Sequence, residues 1–150
     1  AMSTAGFERG LMLRSPARFQ ETARRLVALY NANKDKVSAA TGERVVQAWM
    51  DAEAYCLNTY MTASRLIAGG SIGVEASLNK IFWSELDLVM HETAMGIMGA
   101  EAELMRETQS ARAAGDWLGG FLFSLAGPIY AGTNEIQRNV IAERMLGLPR

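Results

Sequence analysis

Apolar residues return at helical spacing over most of the chain. Over residues 16 to about 30 they fall at Phe19, Ala23, Leu26, Val27 and Tyr30, with Glu21, Arg24 and Arg25 between them, so that one stripe of a helix faces a core. A second run, over 42–68, repeats the pattern through Val45, Trp49, Ala52, Cys56, Tyr60, Ala63 and Ile67. The glycines of 68–73 then stop it, since glycine takes the left-handed cap conformation at little cost. A third run, from about 74 to 105, lines up Leu78, Phe82, Leu86, Val89, Thr93 and Ile97. A loop over 110–115, a short apolar run over 117–125, a glycine-containing turn and a last helix ending near Leu146 complete the chain. The only prolines are Pro16, Pro128 and Pro149, which leaves long stretches without helix breakers. There is no sustained period-2 alternation and no internal repeat. The pattern predicts an all-α fold, an antiparallel four-helix-type up-and-down bundle with short extra C-terminal helices, occupying 1–150 as one domain.

Composition narrows the possible functions. A chain of 150 residues that is 49% hydrophobic can bury a single core. Fifteen basic residues against sixteen acidic ones give a net charge of -1, so no basic surface is expected for nucleic acid. No apolar run approaches the roughly 20 residues needed to span a bilayer, and no signal-peptide pattern is present. A single cysteine, Cys56, rules out an internal disulfide and suits a reducing compartment, so the expected setting is the cytoplasm. Ala1 and Met2 resemble a cloning scar, so an excised piece of a longer protein is expected.

Several constellations fail on spacing. A di-iron bundle needs Glu-x-x-His pairs from two helices, whereas the one histidine, His91, has Leu88 three residues before it. No metal is expected, and His91 reads as a surface or hydrogen-bonded histidine. Cys56 lies on a predicted core stripe far from His91 in sequence, which argues against a Cys-His nucleophile. Gly69-Gly70 and Gly119-Gly120 lack the strand-to-helix setting of a phosphate loop.

Two segments exceed what packing explains. The first is Gly6-Phe-Glu-Arg-Gly-Leu-Met-Leu-Arg-Ser-Pro16, where Glu8 and Arg9 precede an apolar patch. Desolvation beside apolar residues raises a carboxyl pKa toward a value useful for a general base. A solvated glutamate in a first helical turn accounts for the same pattern. The second is the turn Ile129-Tyr-Ala-Gly-Thr-Asn-Glu135. Here Gly132 can adopt backbone angles closed to other residues, Thr133 can cap the following helix, and unbonded amides could hold a carbonyl, ribose or phosphate. An ordinary capped turn has the same composition, so spacing leaves both readings open.

The stretch from Ile129 through Tyr-Ala-Gly-Thr-Asn-Glu-Ile-Gln-Arg to Arg150 resembles the terminal signature of the acyl-CoA dehydrogenases. The resemblance extends over essentially the whole chain as that family's C-terminal helical domain. It implies an FAD enzyme acting on an acyl-CoA thioester by α,β-dehydrogenation, with electron-transferring flavoprotein as electron acceptor. Most members carry the base as a glutamate at the position of Ala131. A subgroup resembling isovaleryl- and long-chain acyl-CoA dehydrogenases places it on the first helix of this domain, and the Glu8-Arg9 segment with Pro16 resembles that pattern. The resemblance therefore implies Glu8 as the base and the Ala131 backbone NH as donor to the thioester carbonyl. It also implies Thr133, Glu135 and Gly132 at the FAD, and Arg9 and Tyr130 at the substrate.

Departures from the family pattern carry their own expectation. Where the family has Arg-x-x-Phe reaching the flavin of a neighbouring subunit, this chain has Lys34-Asp-Lys-Val37, and the family's Gln-x-x-Gly-Gly becomes Gly96-Ile-Met-Gly-Ala100. Lysine does not replace a bidentate arginine, and valine cannot stack. The expected assembly is a homo- or hetero-oligomer, with an α2β2 enzyme in which a different subunit completes the flavin site as the leading reading. A non-catalytic subunit, or a helical assembly module, is the competing expectation. The isolated piece is expected to be inactive.

Overall fold

A computed structural model describes residues 14–103 and 117–149. Five helices occur among them: α1 (Pro16–Asn33), α2 (Ala39–Ile67), α3 (Glu75–Met98), α4 (Trp117–Ser124) and α5 (Asn134–Arg144). Short 3-10 turns lie at Lys34–Lys36 and Gly99–Glu103. The all-α bundle read from the sequence is the fold, with three long helices and two short ones among the described residues. Helices α1, α2 and α3 pack against one another, and α4 and α5 pack against α3. The short links at 34–38 and 68–74 make successive long helices antiparallel. The starts of α1 and α3 therefore share one end of the bundle.

Local chemistry explains the boundaries. Pro16 opens α1 at a position where its missing NH costs nothing. Phe19, Ala23 and Leu26 then face the core. Where α1 meets α2, Gly42 leaves room for the Tyr30 ring, whose hydroxyl oxygen would stand 2.7 Å from a Cβ there. Helix α3 stops at Met98, earlier than its apolar pattern predicts, because Gly99 takes φ 56° and closes the end with its NH on the Met95 carbonyl. The predicted end near residue 105 and the loop over 110–115 lie outside the described residues.

Two of the predicted stripes are displaced. On α2 the buried positions are Val45, Ala48, Ala52, Tyr55, Cys56 and Thr59, while Trp49, Tyr60 and Ile67 stand outside. Ala48 and Ala52 allow α1 and α3 to approach closely, and the bulkier apolar residues go to the opposite side. On α3, Leu78, Phe82 and Val89 are exposed. The buried set is Ser77, Asn79, Lys80, Trp83, Ser84, Leu86, Asp87, Met90, His91, Thr93, Ala94 and Ile97. Helix α3 touches every other helix, so most of its circumference is covered and polar residues are carried inside. Cys56 is buried, as its stripe predicts. No described helix is long and apolar enough to cross a membrane.

Candidate functional site

The turn between α4 and α5 is built from its backbone outward. Asn134 N donates to the Pro128 carbonyl at 2.9 Å and closes the loop. Inside it Gly132 has φ 85°, and Ala131, an L-residue, is held at φ 56°. A left-handed alanine costs roughly 1–2 kcal/mol and persists only where its surroundings fix it. Gln137, fully buried, supplies part of that fixing, since its Nε2 donates to the Ala131 carbonyl at 3.0 Å. The carbonyls are thus turned inward. Among the described residues, the amides of Ala131, Gly132 and Thr133 donate to no acceptor. Thr133 caps α5, its hydroxyl accepting from Ile136 N at 3.3 Å, as the sequence suggests. Glu135 is exposed beside it. Its own backbone amide first, and then Thr133, hold its carboxyl below the usual range.

Beneath the turn lies a buried polar network absent from the sequence reading. Lys80, on α3 and 5% exposed, donates from Nζ to Asn134 Oδ1 at 2.6 Å. Asn134 Nδ2 donates to Ser84 Oγ at 3.2 Å and to Glu85 Oε1 at 3.1 Å, and Arg138 completes the set on Glu85. Burial pushes the Lys80 ammonium pKa down, partly offset by the charges of Glu135 and Glu85. The missed signal is periodic: Ser77, Lys80, Ser84, Asp87 and His91 recur at helical spacing and form a polar stripe running inward.

A third group links the turn to the start of α1. The Arg14 guanidinium donates from Nη2 to the Tyr130 hydroxyl and lies 4.9 Å from the Trp83 ring centroid and 5.5 Å from that of Tyr130. The Arg14 carbonyl accepts from the Tyr55 hydroxyl at 2.9 Å. Tyr130, Ala131, Gly132, Thr133 and Glu135 thus share one turn. Glu8 and Arg9 lie outside the described residues. Lys34 is exposed and Val37 half-buried after α1, and Gly96 and Ala100 are exposed at the end of α3. By topology these two sets share the opposite end of the bundle from Arg14.

His91 and Cys56 take no part in the site. His91 is buried, its Nδ1 2.7 Å from the Asp87 carbonyl oxygen, its ring edge-on to Trp117 and so close to α4 that a Cβ at Gly120 would overlap it. It is therefore a hydrogen-bonded core histidine and not a surface one. No group of three or more His, Cys, Asp or Glu residues suited to a metal occurs among the described residues.

The residues of the turn offer hydrogen-bond donors to an oxygen-rich ligand. A row of unbonded amides at a helix N-terminus matches carbonyl, ribose or phosphate oxygens. Thr133 and Glu135 add hydroxyl and carboxylate oxygens at the surface. With that geometry in view, known proteins supply the class. The family model for the acyl-CoA dehydrogenase C-terminal domain matches residues 1–146. Acyl-CoA dehydrogenase IpdE1 of Mycolicibacterium smegmatis is 34% identical over all of this chain and 36% of its own length. The IpdE1 of Mycobacterium tuberculosis is 31% identical over all of this chain and 38% of its length. Among solved structures, the Tcur3481-Tcur3483 steroid ACAD aligns at a TM-score of 0.77 and 21% identity, over 90% of this chain and 35% of that one. The ChsE4-ChsE5 complex from Mycobacterium tuberculosis aligns at 0.72 and 25%, over 91% and 36%. The chain belongs to the acyl-CoA dehydrogenase family and matches its C-terminal domain. It spans little more than a third of the length of these curated relatives.

Proposed function

We propose that the chain is the C-terminal domain of an FAD-dependent dehydrogenase that oxidises the α,β bond of a CoA thioester. The steroid description of the Tcur3481-Tcur3483 neighbour makes a steroid side-chain thioester the favoured substrate class. The observation that carries the reading is the row of amides at 131–133 that meet no acceptor among the described residues, on a turn that holds a left-handed alanine and whose Tyr130 is bonded by Arg14. The Ala131 NH donates to the thioester carbonyl oxygen and stabilises the charge that develops there when the α proton leaves, a contribution of about 3 kcal/mol for a single preorganised donor. Glu8 takes that proton. Gly132 and Thr133 of the turn and Glu135 of α5 would hold the flavin, and Tyr130, its hydroxyl bonded by Arg14, would orient the substrate together with Arg9. A flavin bound there would supply the acceptor for the β hydride, with electron-transferring flavoprotein as the onward electron acceptor.

Lys34, Val37, Gly96 and Ala100 support pairing with a different subunit. These four residues leave one end of the bundle without the arginine and aromatic that a like subunit would offer a neighbouring flavin. A homotetramer carrying one FAD per subunit, obtained with the full-length protein expressed alone, would contradict that pairing. The second reading, a non-catalytic subunit, is favoured by Ala131 standing where most members carry the base. Replacing Glu8 with Gln in the full-length flavoprotein separates the two. The expected result is a fall in kcat of about a thousandfold with flavin retained, and unchanged turnover excludes Glu8 as the base.

A further inference from the structure

We infer that Lys80, acting through Asn134, is the positioning residue that holds the 131–133 backbone in the conformation that leaves its amides unbonded among the described residues. The inference rests on the proposed role of that turn. An ammonium buried on an amide acceptor is an expensive way to fill space, because an apolar side chain of similar length would need no desolvation. The geometry gives the lysine another task. Its Nζ can only donate and the Glu85 carboxylate can only accept, and both address one side chain, Asn134. The Ser84 hydroxyl lies 3.2 Å from both Asn134 Oδ1 and Asn134 Nδ2 and 3.0 Å from the Ile81 carbonyl, so it suits either amide atom and leaves the orientation to Lys80 and Glu85. The amide is therefore oriented with Oδ1 on Lys80 and Nδ2 on Glu85. Aspartate would set a second carboxylate against Glu85, and leucine would leave the ammonium without its partner.

Asn134 is also the residue whose backbone NH closes the turn on the Pro128 carbonyl. Fixing its side chain on α3 fixes that NH, and with Gln137 on the Ala131 carbonyl the left-handed alanine is held from both sides. Lys80 is buried, with its Nζ on Asn134 Oδ1. Its effect runs through the backbone of the turn.

The test compares Lys80→Met, Asn134→Ala and the double variant in the full-length flavoprotein. Two quantities are read: hydrogen exchange of the 128–134 backbone, and kcat separately from KM. Each single variant is expected to speed exchange in that segment by about tenfold or more and to lower kcat by about tenfold or more, with KM within about threefold. The double variant is expected to be no worse than Asn134→Ala, because both act through one side chain. Exchange left unchanged, faster exchange with kcat intact, or singles whose effects multiply in the double would each overturn the inference. A residue that merely stabilises the fold would lower the Tm and leave kcat per flavin unchanged. Should Lys80→Met fail to fold, Asn134→Ala reads the same quantities, and intact kcat there overturns the inference equally. If Glu8→Gln retains full turnover, the base assignment fails, while the exchange of the turn still decides the role of Lys80.

Discussion

Two glycine-containing turns each lead into a helix whose first turn carries a glutamate, and they are held in opposite ways. The turn before α3, over 68–74, lies at the surface: Gly69 has φ 84°, and α3 begins without a side-chain cap. Glu75 is tied to Arg65 at 3.1 Å by a pair exposed on both sides. The turn before α5 has a true threonine cap and a left-handed alanine. It is anchored by buried Lys80, Asn134 and Gln137. Both glutamates sit below the usual carboxylate range, each mainly through its own backbone amide, so that feature does not separate them. What separates them is the support underneath. A turn that only reverses the chain needs glycine, whereas one that must present amides needs its carbonyls and closing NH fixed.

The contrast can be broken in order of expected effect. Asn134→Ala leaves the buried Lys80 ammonium without its acceptor, and denaturant titration is expected to show a loss of about 3 kcal/mol. Thr133→Ala removes the cap of α5 and is expected to cost about 1 kcal/mol. Gln137→Met loses the bond to the Ala131 carbonyl but also removes the buried Gln137 Oε1, which has no partner among the described residues. Its expected cost is about 1 kcal/mol, with the larger change in exchange of the turn. Arg65→Ala, at the other turn, is expected to shift stability by less than about 0.5 kcal/mol. A cost there as large as that of Asn134→Ala would erase the distinction.

The pH dependence sharpens the same point. Burial lowers the Lys80 pKa in the folded protein, so between that value and the ordinary lysine pKa the unfolded chain binds more protons. Stability contributed by this group therefore rises with pH across that alkaline window. Lys80→Met is expected to flatten the rise, measured by denaturant titration at a series of alkaline pH values, and an unaltered slope would show that Lys80 is not desolvated.

Much of the frame was legible in the residues. Pro16 marks the start of α1, the glycines after residue 68 end α2, and Thr133 announces α5. The stripes were misjudged where bulk stood in for burial. Trp49, Phe82 and Val89 face outward, because α2 and α3 meet their neighbours through alanines and a mixed polar face. The anchoring of the turn was not legible for a related reason. A lysine in a helix is read as solvated, and only the position of Asn134, far along the chain, shows why Lys80 points inward. Glu8 and Arg9 came from resemblance to a family, and they lie outside the described residues.

The central claim is that the Ala131 turn acts through its backbone while the proton goes elsewhere. A crystal structure of the full-length protein with a bound CoA thioester tests it most directly. The expected result is the thioester carbonyl oxygen within about 3 Å of Ala131 N, with the Glu8 carboxylate against the α carbon. A carbonyl held by other donors, with the Ala131 amide facing away from it, would contradict it.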